Sequence, residues 1–248
     1  MLTKEQLKLE VDGLVEQIYQ FVIEAGAQGV VIGNSGGKDS AVVIGLCAKA
    51  LGKEAVETVA MPCESKSNDE TLAYLVADTF GVSCHTVDLT DTYHTLKQEI
   101  ESKIGITLSE EGRIGLKPRL RMTTLRGIAQ TKNYMVLGTG NACEIFVGYF
   151  TKDGDDACDY KPLAEFVVEE VYQIARYIGV PETVLQEAPS DGISGLTDEQ
   201  KLKVTYEQIT KVIRNEPVEA KAKDRILLLH QKTEHKRVPR PIYCRVTK

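Results

Sequence analysis

Gly29-Val30-Val31-Ile32-Gly33-Asn34-Ser35-Gly36-Gly37-Lys38-Asp39-Ser40 is the stretch that decides the fold. A short apolar run bounded by glycines reads as a buried strand, the polar Gly-rich turn after it as a loop, and the apolar stretch over 41–51 as a helix. Adjacent glycines without Cβ let the backbone turn tightly and bring its N–H groups against an anion, and the helix N-terminus adds the positive end of its dipole. Such a loop suits a pyrophosphate. It is not a Walker A loop, because the spaced first glycine and the Gly-Lys-Ser/Thr ending are absent. Asp39 stands where that loop has a hydroxyl, and a carboxylate beside phosphate oxygens adds repulsion unless a cation lies between them. Asp39 therefore reads as a Mg²⁺ ligand; the plainer alternative is a polar helix-entry turn capped by Asp39.

On either side of the loop the pattern alternates. Leu7, Val11, Leu14, Val15, Ile18, Phe21 and Val22 recur at helical spacing over residues 5–26. Downstream, the pattern predicts a strand near 55–61, a helix near 68–80, a strand near 82–88 and a helix near 92–103. A Gly- and Pro-punctuated stretch, 105–118, then leads to a helix from about 119 to 132 and a strand at Tyr134-Met135-Val136-Leu137-Gly138. Strands alternating with helices imply a mostly parallel, doubly wound sheet covered on both faces. We expect five strands, followed by a helical C-terminal part over 167–178, 205–214 and 219–231.

Composition narrows the function. The 248 residues, 42% hydrophobic and 27% charged, suffice for a real core. A net charge of −6 argues against a general nucleic-acid binder. The longest apolar run near the start, Ala41 to Ala48, falls far short of the roughly 20 residues that span a bilayer. Met1 to Glu5 opens straight into an amphipathic pattern rather than a secretory signal, so a cytoplasmic location is expected. Cys47, Cys63, Cys84, Cys143, Cys158 and Cys244 are scattered without a Cys-x-x-Cys pair and read as reduced thiols.

Ser35-Gly36-Gly37-Lys38-Asp39-Ser40 after the first strand resembles the PP-loop of the ATP pyrophosphatase superfamily, whose members split ATP into AMP and pyrophosphate. Four later segments single out the ammonia-dependent NAD synthetases. Arg119-Leu120-Arg121-Met122 resembles that family's Arg-x-Arg-Met. Leu137-Gly138-Thr139-Gly140-Asn141-Ala142-Cys143-Glu144, at a strand's carboxyl end, resembles its Gly-Thr-x-x-x-x-Glu. Lys152-Asp153-Gly154-Asp155-Asp156-Ala157-Cys158-Asp159, followed by Pro162-Leu163, resembles its substrate loop. Thr233-Glu234-His235-Lys236-Arg237 matches its C-terminal Glu-His-Lys-Arg, and Pro189-Ser190-Asp191-Gly192, Thr197-Asp198-Glu199 and Tyr206 fall in register between them. The matches run in order from residue 33 to residue 237.

The resemblance implies one synthetase domain over 1–248, without a glutamine amidase domain. Its reaction would be ATP-dependent amidation of deamido-NAD with ammonia through an adenylate, releasing AMP and pyrophosphate. Implied ATP contacts are Gly33, Asn34, Ser35, Gly36, Gly37, Lys38, Asp39, Ser40, Thr139 and Ser190. Implied deamido-NAD contacts are Arg119, Lys152, Asp159, His235 and Lys236. Asp39 and Glu144 would hold Mg²⁺, with Lys152 as a further catalytic group, and a homodimer is implied. The chain departs from the pattern at Val168, where the family has a lysine that reaches ATP; Lys152 and Lys161 are candidates to replace it. Asp156 and Ala157 replace loop glycines, and Lys201 and Lys203 replace frequent acidic and glycine residues. Rival expectations are another ATP pyrophosphatase, such as a tRNA-thiolating enzyme or a GMP synthetase core, and a nucleotide sensor without turnover.

Overall fold

The computed structural model describes residues 1–65, 67–187, 197–240, 242 and 245, with the side chains of 67 and 68 left out. The chain begins with α1 (Lys4–Glu24), opened by a capping box in which the Thr3 hydroxyl accepts from Gln6 N and the Gln6 side chain accepts from Thr3 N. Then follow β1 (Gly29–Gly33), α2 (Lys38–Leu51), β2 (Val56–Ala60), α3 (Ser67–Phe80), β3 (Ser83–Thr86), α4 (Thr90–Ile104), α5 (Glu110–Lys132), β4 (Tyr134–Leu137) and α6 (Ala142–Val147). Helices complete the described chain: α7 (Val168–Ile178), α8 (Glu182–Leu185), α9 (Asp198–Leu202), α10 (Tyr206–Ile213), α11 (Ala220–Lys232) and α12 (Glu234–Arg237).

The sheet is parallel throughout, in the order β3-β2-β1-β4. Val30 pairs with Val56 on one side of β1 and with Met135 on the other. Period-2 alternation sends Val30, Ile32 and Val56 into one core, under α1, α2 and α7. Val31, Val59 and Val136 enter a second core with Tyr93 of α4 and Met122, Leu125 and Ala129 of α5. A strand buried on both faces has to be apolar at successive positions, which is why Val30-Val31-Ile32 carries no alternation. A third cluster joins Cys143 and Val147 of α6 to Ile209 of α10 and Ile226 of α11.

Two expectations are corrected. Among the described residues the sheet has four strands, not five. Where a fifth would lie beyond β4, the chain makes one isolated parallel bridge, Leu137 to Tyr160, carried by Gly138 N on Tyr160 O and Asp159 N on Val136 O. Pro162 follows at once and has no N–H with which to continue a ladder. The segment 105–118 is also mostly helix rather than punctuation, since α5 begins at Glu110, nine residues before the expected start. Ser109 caps it by accepting from Gly112 N, and Pro118 is held inside the helix.

Candidate active site

The winding direction reverses between β1 and β4, and in open parallel sheets ligands collect outside the carboxyl ends of the strands at that point. Here a cleft of about 1380 Å³ opens beyond Gly33 of β1, Ala60 of β2 and Leu137 of β4. Cavities that hold one drug-sized ligand run to roughly 300–1,000 Å³, so this one has room for two nucleotide-sized molecules.

The loop after β1 is held open by its own side chains. Asn34, 3% exposed, donates to Ala73 O at 2.8 Å and accepts from Gly36 N at 3.1 Å. Ser40 Oγ donates to Gly37 O at 2.9 Å and lies 3.1 Å from Ser35 Oγ. Gly37 caps α2 without a side-chain acceptor, so the first N–H groups of α2 are not covered by a capping side chain. Gly36 has φ +73°, and a Cβ there would meet Asp69 O at 2.6 Å and Leu72 Cβ at 2.8 Å. Gly36→Ala is therefore expected to cost about 2 kcal/mol or more and to weaken ATP binding; thermal melts and ATP titration of the variant check this.

Asp39 leaves the first turn of α2 toward Glu144 at the start of α6. Its Oδ1 accepts from Asn141 Nδ2 at 3.3 Å and its Oδ2 from Lys38 Nζ at 2.7 Å. Asn141 also caps α6, accepting from Cys143 N and Glu144 N, while Glu144 accepts in turn from Asn141 N. One buried asparagine thus fixes both carboxylates. Burial first, and then the Asp39 charge, push Glu144 up to about 8, with Lys38 pulling the other way. A carboxyl whose ionisation is opposed by burial and by a neighbouring acid is one that a cation would stabilise, and hard oxygen donors suit Mg²⁺. No cluster of three or more His, Cys, Asp or Glu placed to hold a metal occurs among the described residues, so phosphate oxygens and water would supply the remaining ligands.

Basic side chains share the cleft with these acidic ones. Arg119, Lys152, His235 and Lys236 all line the cleft. Arg119 donates to Gly115 O and to Lys152 O, and Lys152 Nζ donates to His235 O at 2.9 Å, which ties the loop after α6 to α12. Lys236 Nζ donates to Gly148 O and Phe150 O, and burial holds its ammonium below the usual lysine range. Arg237, 14% exposed in its side chain, donates to Ile145 O and Phe146 O of α6, to His230 O of α11 and to Thr233 Oγ1. Arg237→Leu would strip the end of the helix that carries Glu144. We expect a loss of about 2–3 kcal/mol, visible as a lowered midpoint in urea unfolding.

Gly33, Asn34, Ser35, Gly36, Gly37, Lys38, Asp39, Ser40, Thr139 and Glu144 are all brought to this cleft. Asp159 is not among its lining residues: both its oxygens accept from Arg126, and Oδ2 also accepts from Val136 N. Ser190 lies outside the described residues. Val168 is buried in the third cluster. Lys161 pairs with Asp156 and Lys152 holds the C-terminal backbone, whereas the ammonium over Tyr172, one turn along α7 from Val168, is that of Lys38. Sequence reasoning missed Asn141 as the shared support and Asp198 as a third acid: Asp198, 4% exposed, accepts from the Tyr149 and Tyr206 hydroxyls. Only the polar character of Asn141 inside a quoted motif could have flagged it.

A Gly-rich anion loop beside a half-buried carboxylate pair, with basic side chains lining the same cleft at the switch point of a parallel sheet, defines an α/β enzyme for phosphate-bearing substrates. The NAD synthase family profile matches residues 10–240. An NH(3)-dependent NAD(+) synthetase of Mesoplasma florum is 40% identical over 94% of this chain and 95% of its own. The structure of an NMN synthetase from Francisella tularensis superposes with a TM-score of 0.90 at 33% identity, covering 96% of this chain and 98% of that one. An NH3-dependent NAD synthetase from Campylobacter jejuni gives 0.78 at 25% identity, over 96% and 99%. This chain belongs to the NAD synthase family.

Proposed function

We propose that this chain is a ligase that uses ATP and ammonia to convert the nicotinate carboxylate of deamido-NAD into the carboxamide of NAD. The observation that carries this reading is that the anion loop, the Asp39–Glu144 pair and Arg119, Lys152 and Lys236 line one cleft with room for two nucleotides. Backbone N–H groups of residues 35–40 hold the pyrophosphate portion of ATP. Asp39 and Glu144 would hold Mg²⁺, which when bound would neutralise phosphate charge. Lys152 and Lys236 draw in the anionic second substrate, and Thr139, just past the end of β4, contacts the nucleotide.

The nicotinate carboxylate attacks the α-phosphorus, a phosphoanhydride bond breaks and pyrophosphate leaves. Ammonia then attacks the acyl carbon of the mixed anhydride, AMP leaves, and the excess proton passes to solvent. Positioning and charge stabilisation carry the acceleration, with no covalent bond to the protein. We also assign the chain a homodimeric state and a cytoplasmic location. No helix among the described residues is long and apolar enough to cross a membrane. Stoichiometric NAD and pyrophosphate from deamido-NAD, ATP, Mg²⁺ and ammonium supports the reaction; ATP binding without either product overturns it in favour of a sensor.

A second reading concerns the length of the substrate. The NMN synthetase superposes better than the NAD synthetase, 0.90 against 0.78, and so favours a nicotinate mononucleotide amidated by the same chemistry. Comparing kcat/KM for the mononucleotide and the dinucleotide in one assay decides between them, because the larger value marks the substrate for which the cleft is built.

A further inference from the structure

Lys38 belongs to the anion loop, yet its side chain is directed inward. It is 6% exposed, with its ammonium 5.6 Å from the Tyr172 ring centre and 5.9 Å from that of Tyr206. Its Nζ donates to Asp39 Oδ2 at 2.7 Å, and Glu144 lies near enough to attract it. An ammonium held between two aromatic rings away from water stays there only if an anion compensates it. The converse also holds: Asp39 and Glu144, both half-buried, repel each other unless a cation stands beside them. Asp198, next in the same cluster and hydrogen-bonded by Tyr149 and Tyr206, adds to the negative potential at Glu144.

We propose that Lys38 is the resident counter-cation of the Asp39–Glu144 pair, a positioning residue that fixes Asp39 in the nucleotide-free protein and keeps the divalent-cation site weak until phosphate oxygens arrive. This rests on Asp39 and Glu144 being the cation ligands. A divalent ion approaching Asp39 alone meets a fixed positive charge already on Oδ2. Phosphate oxygens bring the negative charge that makes both cations welcome, so metal and nucleotide enter together. The ammonium also adds to the positive potential around the loop, favouring ATP even without metal.

Mn²⁺, followed by its electron paramagnetic resonance, is the probe, with the full chain and two variants. Lys38→Met keeps length and apolar packing on Tyr172 and Tyr206 but removes the charge, and Lys38→Arg keeps the charge. With the fold checked by circular dichroism, Lys38→Met is expected to bind Mn²⁺ without nucleotide about tenfold or more tightly than wild type and to bind ATP more weakly in excess EDTA. Lys38→Arg should restore both values. Unchanged or weaker Mn²⁺ binding by folded Lys38→Met overturns the proposal and leaves Lys38 a packing element. Wild type offers a test that needs no variant: Mn²⁺ affinity should rise about tenfold or more when a non-hydrolysable ATP analogue is added, and equal affinity with and without it is contrary to the proposal. Failure of the underlying ligand assignment looks different, because then Glu144→Gln binds Mn²⁺ with the analogue as well as wild type does.

Discussion

Asp39→Asn is expected to leave the protein folded and to lower kcat by about a thousandfold. The substitution preserves volume, and the Asn amide oxygen can still accept from Asn141 Nδ2, so the support that Asn141 gives to α6 survives. The charge does not survive. Lys38 loses the anion it is bonded to, and the proposed cation site keeps only the Glu144 carboxylate. Phosphate charge developing at the loop then has less to balance it. NAD formation with saturating ammonium, measured beside a thermal melt, checks this. Activity within about fivefold of wild type in a well-folded variant would place the chemistry elsewhere.

Glu144→Gln should move stability and activity in opposite directions. Glu144 is half-buried and desolvation pushes its carboxyl up to about 8, from an ordinary 4.5, so the folded protein holds this proton more tightly than the unfolded chain does. Its ionisation therefore costs stability progressively as the pH rises from about 4.5 to about 8, with no further loss above. Glutamine is neutral at every pH and can keep the hydrogen bond from Asn141 N. In Mg²⁺-free buffer the variant should melt higher than wild type at pH 8 and show a flatter dependence of Tm on pH. Turnover should fall about a hundredfold or more, because the carboxylate is the group the cation needs. A variant that loses stability at pH 8 would show that Glu144 is ionised and well compensated in the empty protein. The opposition is the usual relation between a strained functional group and the fold that carries it.

Much of this was legible from local pattern. Gly29 to Ser40 gave strand, loop and helix because burial on both faces demands successive apolar residues and an anion loop demands glycines. The recurring strands and helices imply the parallel sheet, and the order of the motif puts Asp39 at the start of the helix that follows the anion loop. Other elements escape a local pattern because their cause is not local. Gly112, Gly115 and Pro118 are weak helix formers, so α5 was placed too late; its real start is fixed by the Ser109 cap. The fifth strand is a single bridge at Tyr160, since Pro162 cannot extend a ladder. Asp159, expected at the substrate, points instead to Arg126, a partner 33 positions away that only the α5–β4 packing brings near.

By itself, then, the sequence determined which residues carry charge, which backbone segments can turn around a phosphate, and the order in which strands and helices succeed one another. Those depend on side-chain type and on neighbours a few positions apart. Tertiary structure alone decided that Asn141 supports Asp39 from 102 positions away, that Arg237 closes the end of α6, and that the ammonium beside the carboxylate pair belongs to Lys38 rather than to Lys152 or Lys161. Electrostatic energies fall with distance in space and rise with burial, and neither quantity is defined until the chain has folded.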